Sequence, residues 1–268
     1  MSARRRARGA FRVAGALFAF WWLIGGTLWA APGASPHPGD GPVHVHWVLD
    51  GDTVELDSGR RVRLIGLDTP EVAHRDRPAE PYADEATKAL RRLLSRSDGQ
   101  VVQRQGRERQ DRYGRQLAHL FLPDGTSITA ALLRQGLGVI LVVPPNTWNL
   151  PCYLDAERAA RQARRGIWAL PGYQPVAATE LGRGARGYRL VAGRVARVGR
   201  GGGAQWIDLE GGLAVRITEG DLRYFPGIDF GTWVGRRVLA RGMVYQRRGQ
   251  LRMRIRHPAL LELLPEAG

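Results

Sequence analysis

The stretch Asp50-Gly51-Asp52-Thr53-Val54-Glu55-Leu56-Asp57-Ser58-Gly59-Arg60-Arg61-Val62-Arg63-Leu64-Ile65-Gly66-Leu67-Asp68-Thr69-Pro70-Glu71 holds two β-rich runs, residues 53–56 and 61–67. Asp57-Ser58-Gly59 between them is a hairpin turn. A further β-rich run, residues 44–49, precedes the stretch. The spacing after it predicts a helix over 84–95 with Ala86, Leu90, Leu93 and Leu94 on its inner side, then strands over 100–105 and 116–122. Pro123-Asp124-Gly125 closes the second of these. Three strands, a helix and two strands is the order of an OB-type five-stranded barrel, in a fold that is mostly β with α. Helices over 129–135 and 154–165 follow, the second stopped by Gly166, with Ile167 and Trp168 placed to pack back on the domain.

The chemistry sits at the strand ends. Asp52 lies at the end of the first strand and Asp68 at the end of the third, so neighbouring strands of a curled barrel bring two carboxylates toward one cation. Oxygen ligands of this kind suit Ca²⁺ or a similarly hard ion, with the backbone carbonyl of Thr69 as a further donor. Glu71, one residue past Pro70, stands where a carboxylate can take a proton from an attacking water. Arg63 and Arg115 supply planar forks for a phosphate and for the charge that builds on its oxygens. Arg112 and Tyr113 in Asp111-Arg112-Tyr113-Gly114-Arg115, and Arg77 in the loop after Glu71, are candidate substrate contacts. Taken singly, each cluster also reads as a turn with solvated carboxylates. Co-occurrence in order favours a metal-dependent phosphodiesterase.

Four motifs, Asp50-Gly51-Asp52-Thr53, Arg63-Leu64-Ile65-Gly66-Leu67-Asp68-Thr69-Pro70-Glu71, Asp111-Arg112-Tyr113-Gly114-Arg115 and Leu133-Arg134-Gln135-Gly136, resemble those of the thermonuclease (staphylococcal nuclease-like) family over residues 43–170. The resemblance implies that Asp52, Asp68 and the Thr69 carbonyl hold Ca²⁺, that Glu71 is the general base, and that Arg63 and Arg115 bind phosphate. It also implies hydrolysis of DNA and RNA to 3′-phosphate ends. The chain departs from the family after Gly136: where tyrosines are expected beside the nucleotide, it runs Val139-Ile140-Leu141-Val142-Val143-Pro144-Pro145.

Residues 187–268 form a second strand-rich segment, with runs over 188–198, 205–209, 213–218, 236–245 and 251–256 and a flexible tip at 199–203. A short helical segment over 219–225 gives a second OB-like order, joined to the first by a linker over 171–186. None of the acidic motifs recurs there, so no second active site is expected. Arg194, Arg197, Arg216, Arg237, Arg241, Arg252, Arg254 and Arg256 alternate with apolar residues and predict a basic sheet face, on which Trp206 and Tyr245 are available to stack on bases.

The 268 residues carry a formal charge of +15, almost wholly from arginine, since Lys88 is the only lysine. Such a surface attracts DNA, RNA or anionic headgroups. Arg4, Arg5, Arg6, Arg8 and Arg12 precede an uncharged apolar run over 13–31 that ends in Ala30-Ala31-Pro32-Gly33-Ala34. That pattern is an export signal or a single-span membrane anchor within residues 1–39, and it predicts a periplasmic, extracellular or outer-face location. Cys152 is alone and forms no internal disulfide. Two further classes remain compatible with the composition: a non-catalytic nucleic-acid-binding protein of the cell envelope, and an envelope protein whose basic surface meets membrane or polymer.

Overall fold

A computed structural model describes residues 40–75 and 77–265, and the export or anchor segment over 13–31 lies outside the described residues. Strands β1 (Gly41–Val48), β2 (Thr53–Leu56) and β3 (Arg61–Leu64) form an antiparallel meander. β1 is bulged between Val45 and Trp47, which increases its twist. The next strand toward the C-terminus, β4 (Gly66–Asp68), is separate from β3. After helix α1 (Ala83–Leu94), β5 (Gln100–Gln110) and β6 (Gln116–Phe121) complete a closed barrel in the order β1-β2-β3-β6-β5. Closure leaves no free edge, and the parallel β3–β6 pair places Arg63 beside Leu117. Ala86, Ala89, Leu90, Leu93 and Leu94 form the buried stripe of α1 and cap the barrel core.

The single strand predicted over 61–67 is broken at Gly66. This residue has φ +88°, and a Cβ added there would lie 2.3 Å from the Tyr153 ring. Only glycine satisfies both conditions. The break turns β4 out of the barrel to pair with β7 (Val139–Leu141), Asp68 opposite Val139. Helix α2 (Ile128–Arg134) is capped by Ser127, whose hydroxyl accepts the Ala130 N–H. Helix α3 (Leu150–Gln162) begins four residues before the predicted start because Pro151 occupies its first turn, where a missing N–H is harmless.

The expected linker is structured in part. β8 (Pro175–Ala177) pairs in parallel with β9 (Gly187–Gly201), the first long strand of the second sheet. β10 (Ala204–Leu209), β11 (Leu213–Thr218), β12 (Arg237–Arg247), β13 (Gln250–Arg254) and β14 (Leu261–Leu263) complete a seven-stranded sheet in the order β14-β12-β13-β11-β10-β9-β8. A further β12–β9 pairing links β9-β10-β11-β13-β12 into a ring with the strand order of the first barrel, including its one parallel pair, β11–β13. The short helix α4 (Glu219–Leu222) lies between the third and fourth strands of that ring.

The described residues belong to one compact unit. Val139, Ala160, Ile167 and Trp168 pack with Leu190 and Leu239 of the second sheet. Arg241, predicted on the exposed basic face, is buried instead: Nη1 lies 2.6 Å from Glu157 Oε2 of α3. Strand alternation placed it outward correctly, but outward from β12 is toward α3. Arg254 is likewise engaged, donating to Asp221 Oδ2, whereas Arg256 meets Asp221 only loosely, at 3.5 Å.

Candidate active site

Asp52 enters the site from a tight turn in which Asp50 Oδ1 accepts its N–H at 2.9 Å. The turn is pressed against α1 at Gly51, where a Cβ would fall 2.6 Å from Ala86 Cβ and 2.8 Å from Thr69 Oγ1. The Asp52 carboxylate is buried and held by hydrogen bonds from two threonines. Oδ1 accepts the Thr53 hydroxyl at 2.9 Å, and Oδ2 accepts the Thr69 N–H at 3.0 Å and the Thr69 hydroxyl at 3.1 Å. Thr69, expected as a carbonyl donor, thus also anchors Asp52 through its own N–H and hydroxyl.

Arg63 of β3 ties the two predicted ligands together. Its Nη1 lies 2.8 Å from Asp52 Oδ2 and donates to the Leu67 carbonyl at 2.7 Å, while Nη2 donates to Asp68 Oδ1 at 2.7 Å. The strand break at Gly66 makes this possible, because it folds Leu67 and Asp68 back toward the residue they follow.

Arg115 reaches the same site from the β5–β6 turn. Asp111 Oδ2 accepts its Nε at 2.8 Å, Asp111 Oδ1 accepts the N–H groups of Tyr113 and Arg115, and Arg115 Nη1 extends to Thr53 Oγ1 at 3.4 Å. Gly114, at φ +79°, supplies the left-handed step of this turn. Thr53 therefore bridges the carboxylate and arginine halves of the site. Tyr113 is exposed and stacks between Arg112, 4.7 Å from its centroid, and Arg115, at 5.6 Å.

These groups line one cavity of about 560 Å³. Asp52, Arg63, Asp68, Thr69, Glu71, Arg112, Tyr113 and Arg115 are all brought to it. Arg77 is not: it sits in an exposed turn, exchanging backbone hydrogen bonds with His74. Glu71 is exposed on the cavity rim, its N–H held by Glu80 Oε2 at 3.1 Å. Three contributors escaped the sequence reading. Thr53 and Asp111 lay inside the quoted motifs, and an aspartate four residues before an arginine in a glycine turn was the available signal for Asp111. Arg256, which follows β13 of the second sheet, lines the cavity and had no such signal.

Burial pushes the Asp52 carboxyl up to about 7, aided by the nearby charges of Asp50 and Asp68 and opposed by Arg63 and the Thr69 N–H. Asp68 is raised by burial and by Glu80 against the pull of Arg63. Glu71 is raised by burial and then by Asp68 and Asp50. Asp111 moves the other way, because hydrogen bonds from Arg115 and two backbone N–H groups outweigh its burial.

Among the described residues no group of three or more His, Cys, Asp or Glu side chains is arranged to hold a metal ion. The donor set of Asp52 and Asp68 is nevertheless all oxygen, and its crowded carboxylates resist ionisation in the absence of added positive charge. A hard divalent cation fits that chemistry, with its remaining positions met by oxygens other than carboxylates. Arg63 already supplies positive charge to both carboxylates.

The profile of the family described as staphylococcal nuclease homologue matches residues 61–170. A thermonuclease of Staphylococcus intermedius is 34% identical over 124 residues, which are 45% of this chain and 72% of that protein. The chain belongs to the staphylococcal nuclease family. Endonuclease YncB of Bacillus subtilis (strain 168) is 33% identical over 129 residues, 47% of this chain. The SPbeta prophage-derived endonuclease YokF of the same organism is also 33% identical over 129 residues. The chain spans only 60% of the length of YncB and 43% of YokF. In this staphylococcal nuclease homologue the matched segment carries Arg63, Asp68, Thr69, Glu71 and Arg115, and Asp52 precedes it. Leu141 and Val143 line the cavity, so its wall is aliphatic where the sequence comparison expected tyrosines.

Proposed function

We propose that the protein is an exported Ca²⁺-dependent nuclease that hydrolyses DNA, RNA or both by attack of water and leaves 3′-phosphate ends. The observation that carries this reading is the bridge of Arg63 between Asp52 and Asp68 in the cavity that also receives Arg115 and Glu71. A bound divalent cation supplies Lewis-acid stabilisation of the phosphoryl oxygens. Asp52 and Asp68 would hold it, and Arg63 and Arg115 would neutralise the charge that grows on the equatorial oxygens. Glu71 takes the proton of the attacking water as the O–P bond forms. The bond from phosphorus to the 5′ oxygen breaks, and that oxygen takes its proton from solvent. The raised Glu71 carboxyl has a better proton affinity for this task than an ordinary surface glutamate.

Export is supported by the arginine-flanked apolar run over 13–31, which serves as a cleaved signal or as a membrane anchor. The second barrel fits a substrate-holding module: Arg252 and Arg216 flank the half-buried Trp206 ring at 4.8 and 5.8 Å on its outer sheet face.

The test is hydrolysis of single-stranded and duplex DNA and of RNA with Ca²⁺, with Mg²⁺ and with chelator, alongside Asp52→Ala. Calcium-dependent cleavage lost in the variant supports the reading. Binding without cleavage under every condition replaces it with a non-catalytic nucleic-acid-binding protein.

A further inference from the structure

We propose that Arg256, donated by the second barrel, is a substrate-binding residue of the nuclease cleft that takes the phosphodiester next to the scissile one. The inference rests on the nuclease reading above and adds a role that the matched family segment, residues 61–170, does not contain.

Arg256 follows β13 and lines the same cavity as Asp52, Arg63, Asp68 and Arg115. Its own contacts leave it unsatisfied. Its one ion pair is a loose one, Nε at 3.5 Å from Asp221 Oδ1, and Nε is buried without a hydrogen-bond partner. The charge of Asp221 is met by another group: Arg254 donates to Asp221 Oδ2 through Nε at 3.0 Å and Nη2 at 2.7 Å, and the Thr218 hydroxyl adds a third hydrogen bond. All three bonds fall on Oδ2, while Oδ1 meets Arg256 only at Nε and at a length too long for a hydrogen bond, so the terminal nitrogens of Arg256 have no acceptor among the described residues. A guanidinium left over in this way is complemented by an anion.

The surrounding wall narrows the choice of anion. Leu141 and Val143 offer no polar group, and Asn146 is consumed by the Glu108 main chain, accepting its N–H at 3.0 Å and donating to its carbonyl at 2.9 Å. Arg256 is thus the charged donor on a wall that is otherwise aliphatic or already paired. A cavity of about 560 Å³ has room for more than one phosphate. A polynucleotide brings a second phosphate at a fixed spacing from the first, whereas a lone phosphodiester does not. Arg63 and Arg115 are engaged around the carboxylates and Arg112 is held on the Tyr113 ring and hydroxyl, so the neighbouring phosphate falls to Arg256.

The test compares the full chain with Arg256→Gln and Arg256→Lys on two substrates, a dinucleotide with one phosphodiester and a longer single-stranded oligonucleotide, in Ca²⁺. Arg256→Gln is expected to raise KM for the oligonucleotide roughly tenfold at unchanged kcat, leaving the dinucleotide unaffected. The plot of log kcat/KM against log salt for the oligonucleotide should flatten by about 0.7, the share of one phosphate contact on a single strand, and lysine should restore part of both effects. An unchanged oligonucleotide KM and salt slope overturns the proposal. So does an equal loss on both substrates with a lowered Tm, which would make Arg256 a brace for the α4 turn. If the wild-type chain cleaves neither substrate, the nuclease reading fails on its own. Fluorescence anisotropy of the oligonucleotide then decides Arg256, and equal affinity of wild type and Arg256→Gln overturns its role.

Discussion

Arg241 on β12 and Glu157 on α3 form an ion pair of 2.6 Å whose side chains are 3% and 1% exposed, joining residues 84 positions apart between the second sheet and the nuclease segment. Glu157 Oε1 also accepts the Ile140 N–H at 2.8 Å, so the pair holds β7, and through it β4 and Asp68, against the second barrel. Removing one partner of such a pair strands a charge in the interior. Arg241→Met should cost about 3–5 kcal/mol in urea unfolding, and adding Glu157→Gln should recover part of that loss. Equal destabilisation in the single and double variants would mean that packing of the arginine, not its charge, carries the effect.

Gly51 is the point at which α1 bears on the Asp52 turn. The methyl of Gly51→Ala would overlap Ala86 Cβ and the Thr69 side chain, and Thr69 is one of the groups that fix Asp52. The expected loss of stability is about 1–3 kcal/mol. Activity should fall further than that, measured at a temperature where the variant remains folded, because the carboxylate loses its orientation. Full activity with reduced Tm would separate the turn from the chemistry.

Much of the site was legible because its determinants are local. Asp52, Arg63, Asp68 and Thr69 lie within 18 consecutive positions, and Asp111 and Arg115 within one turn. Their residue types at strand ends carry the information directly. The β3–β4 break was not legible: Gly66 in an apolar run reads as a continuing strand, and the Tyr153 ring that leaves no room for a Cβ there lies far away in the chain. Arg241 and Arg256 failed for a related reason. Alternation assigns a residue to a face of its own sheet, but only the packing of the second sheet on the rest of the chain decides whether that face meets solvent, α3 or the cleft. The strand β8 was missed because Pro175-Val176-Ala177 is too short to show a period.

His119 gives the fold a pH response separate from the active site. Its ring is buried, with Nδ1 2.7 Å from the Tyr153 hydroxyl and Trp148 packed edge-on at 5.3 Å. Burial, then the charge of Arg104, lowers its pKa from 6.5 to about 4. The folded state thus disfavours the proton that the unfolded chain accepts. The stability contributed by neutral His119 is fully present above pH 6.5 and is lost as pH falls toward 4. Between pH 7 and pH 5 the wild type should lose about 2 kcal/mol from this group. His119→Gln should show a correspondingly smaller drop over the same interval in urea titrations. Identical pH profiles would mean that His119 takes up its proton at the same pH in the folded and unfolded states.

Asp111 positions Arg115 without facing the carboxylate pair itself. It accepts the guanidinium Nε at 2.8 Å and two backbone N–H groups, while Arg115 Nη1 points to Thr53. Asp111→Asn keeps an oxygen for the backbone N–H groups but removes the charge that holds Nε. Its turn should therefore survive while the arginine loses its aim. The expected result is a fall in kcat of roughly tenfold at near-normal Tm, against a fall of about 10²–10³-fold for Arg115→Ala, which removes the donor altogether. The double variant decides between positioning and an independent role. If Asp111 acts only through Arg115, Asp111→Asn has no further effect in the Arg115→Ala background, whereas additive losses would give Asp111 a contact of its own with substrate.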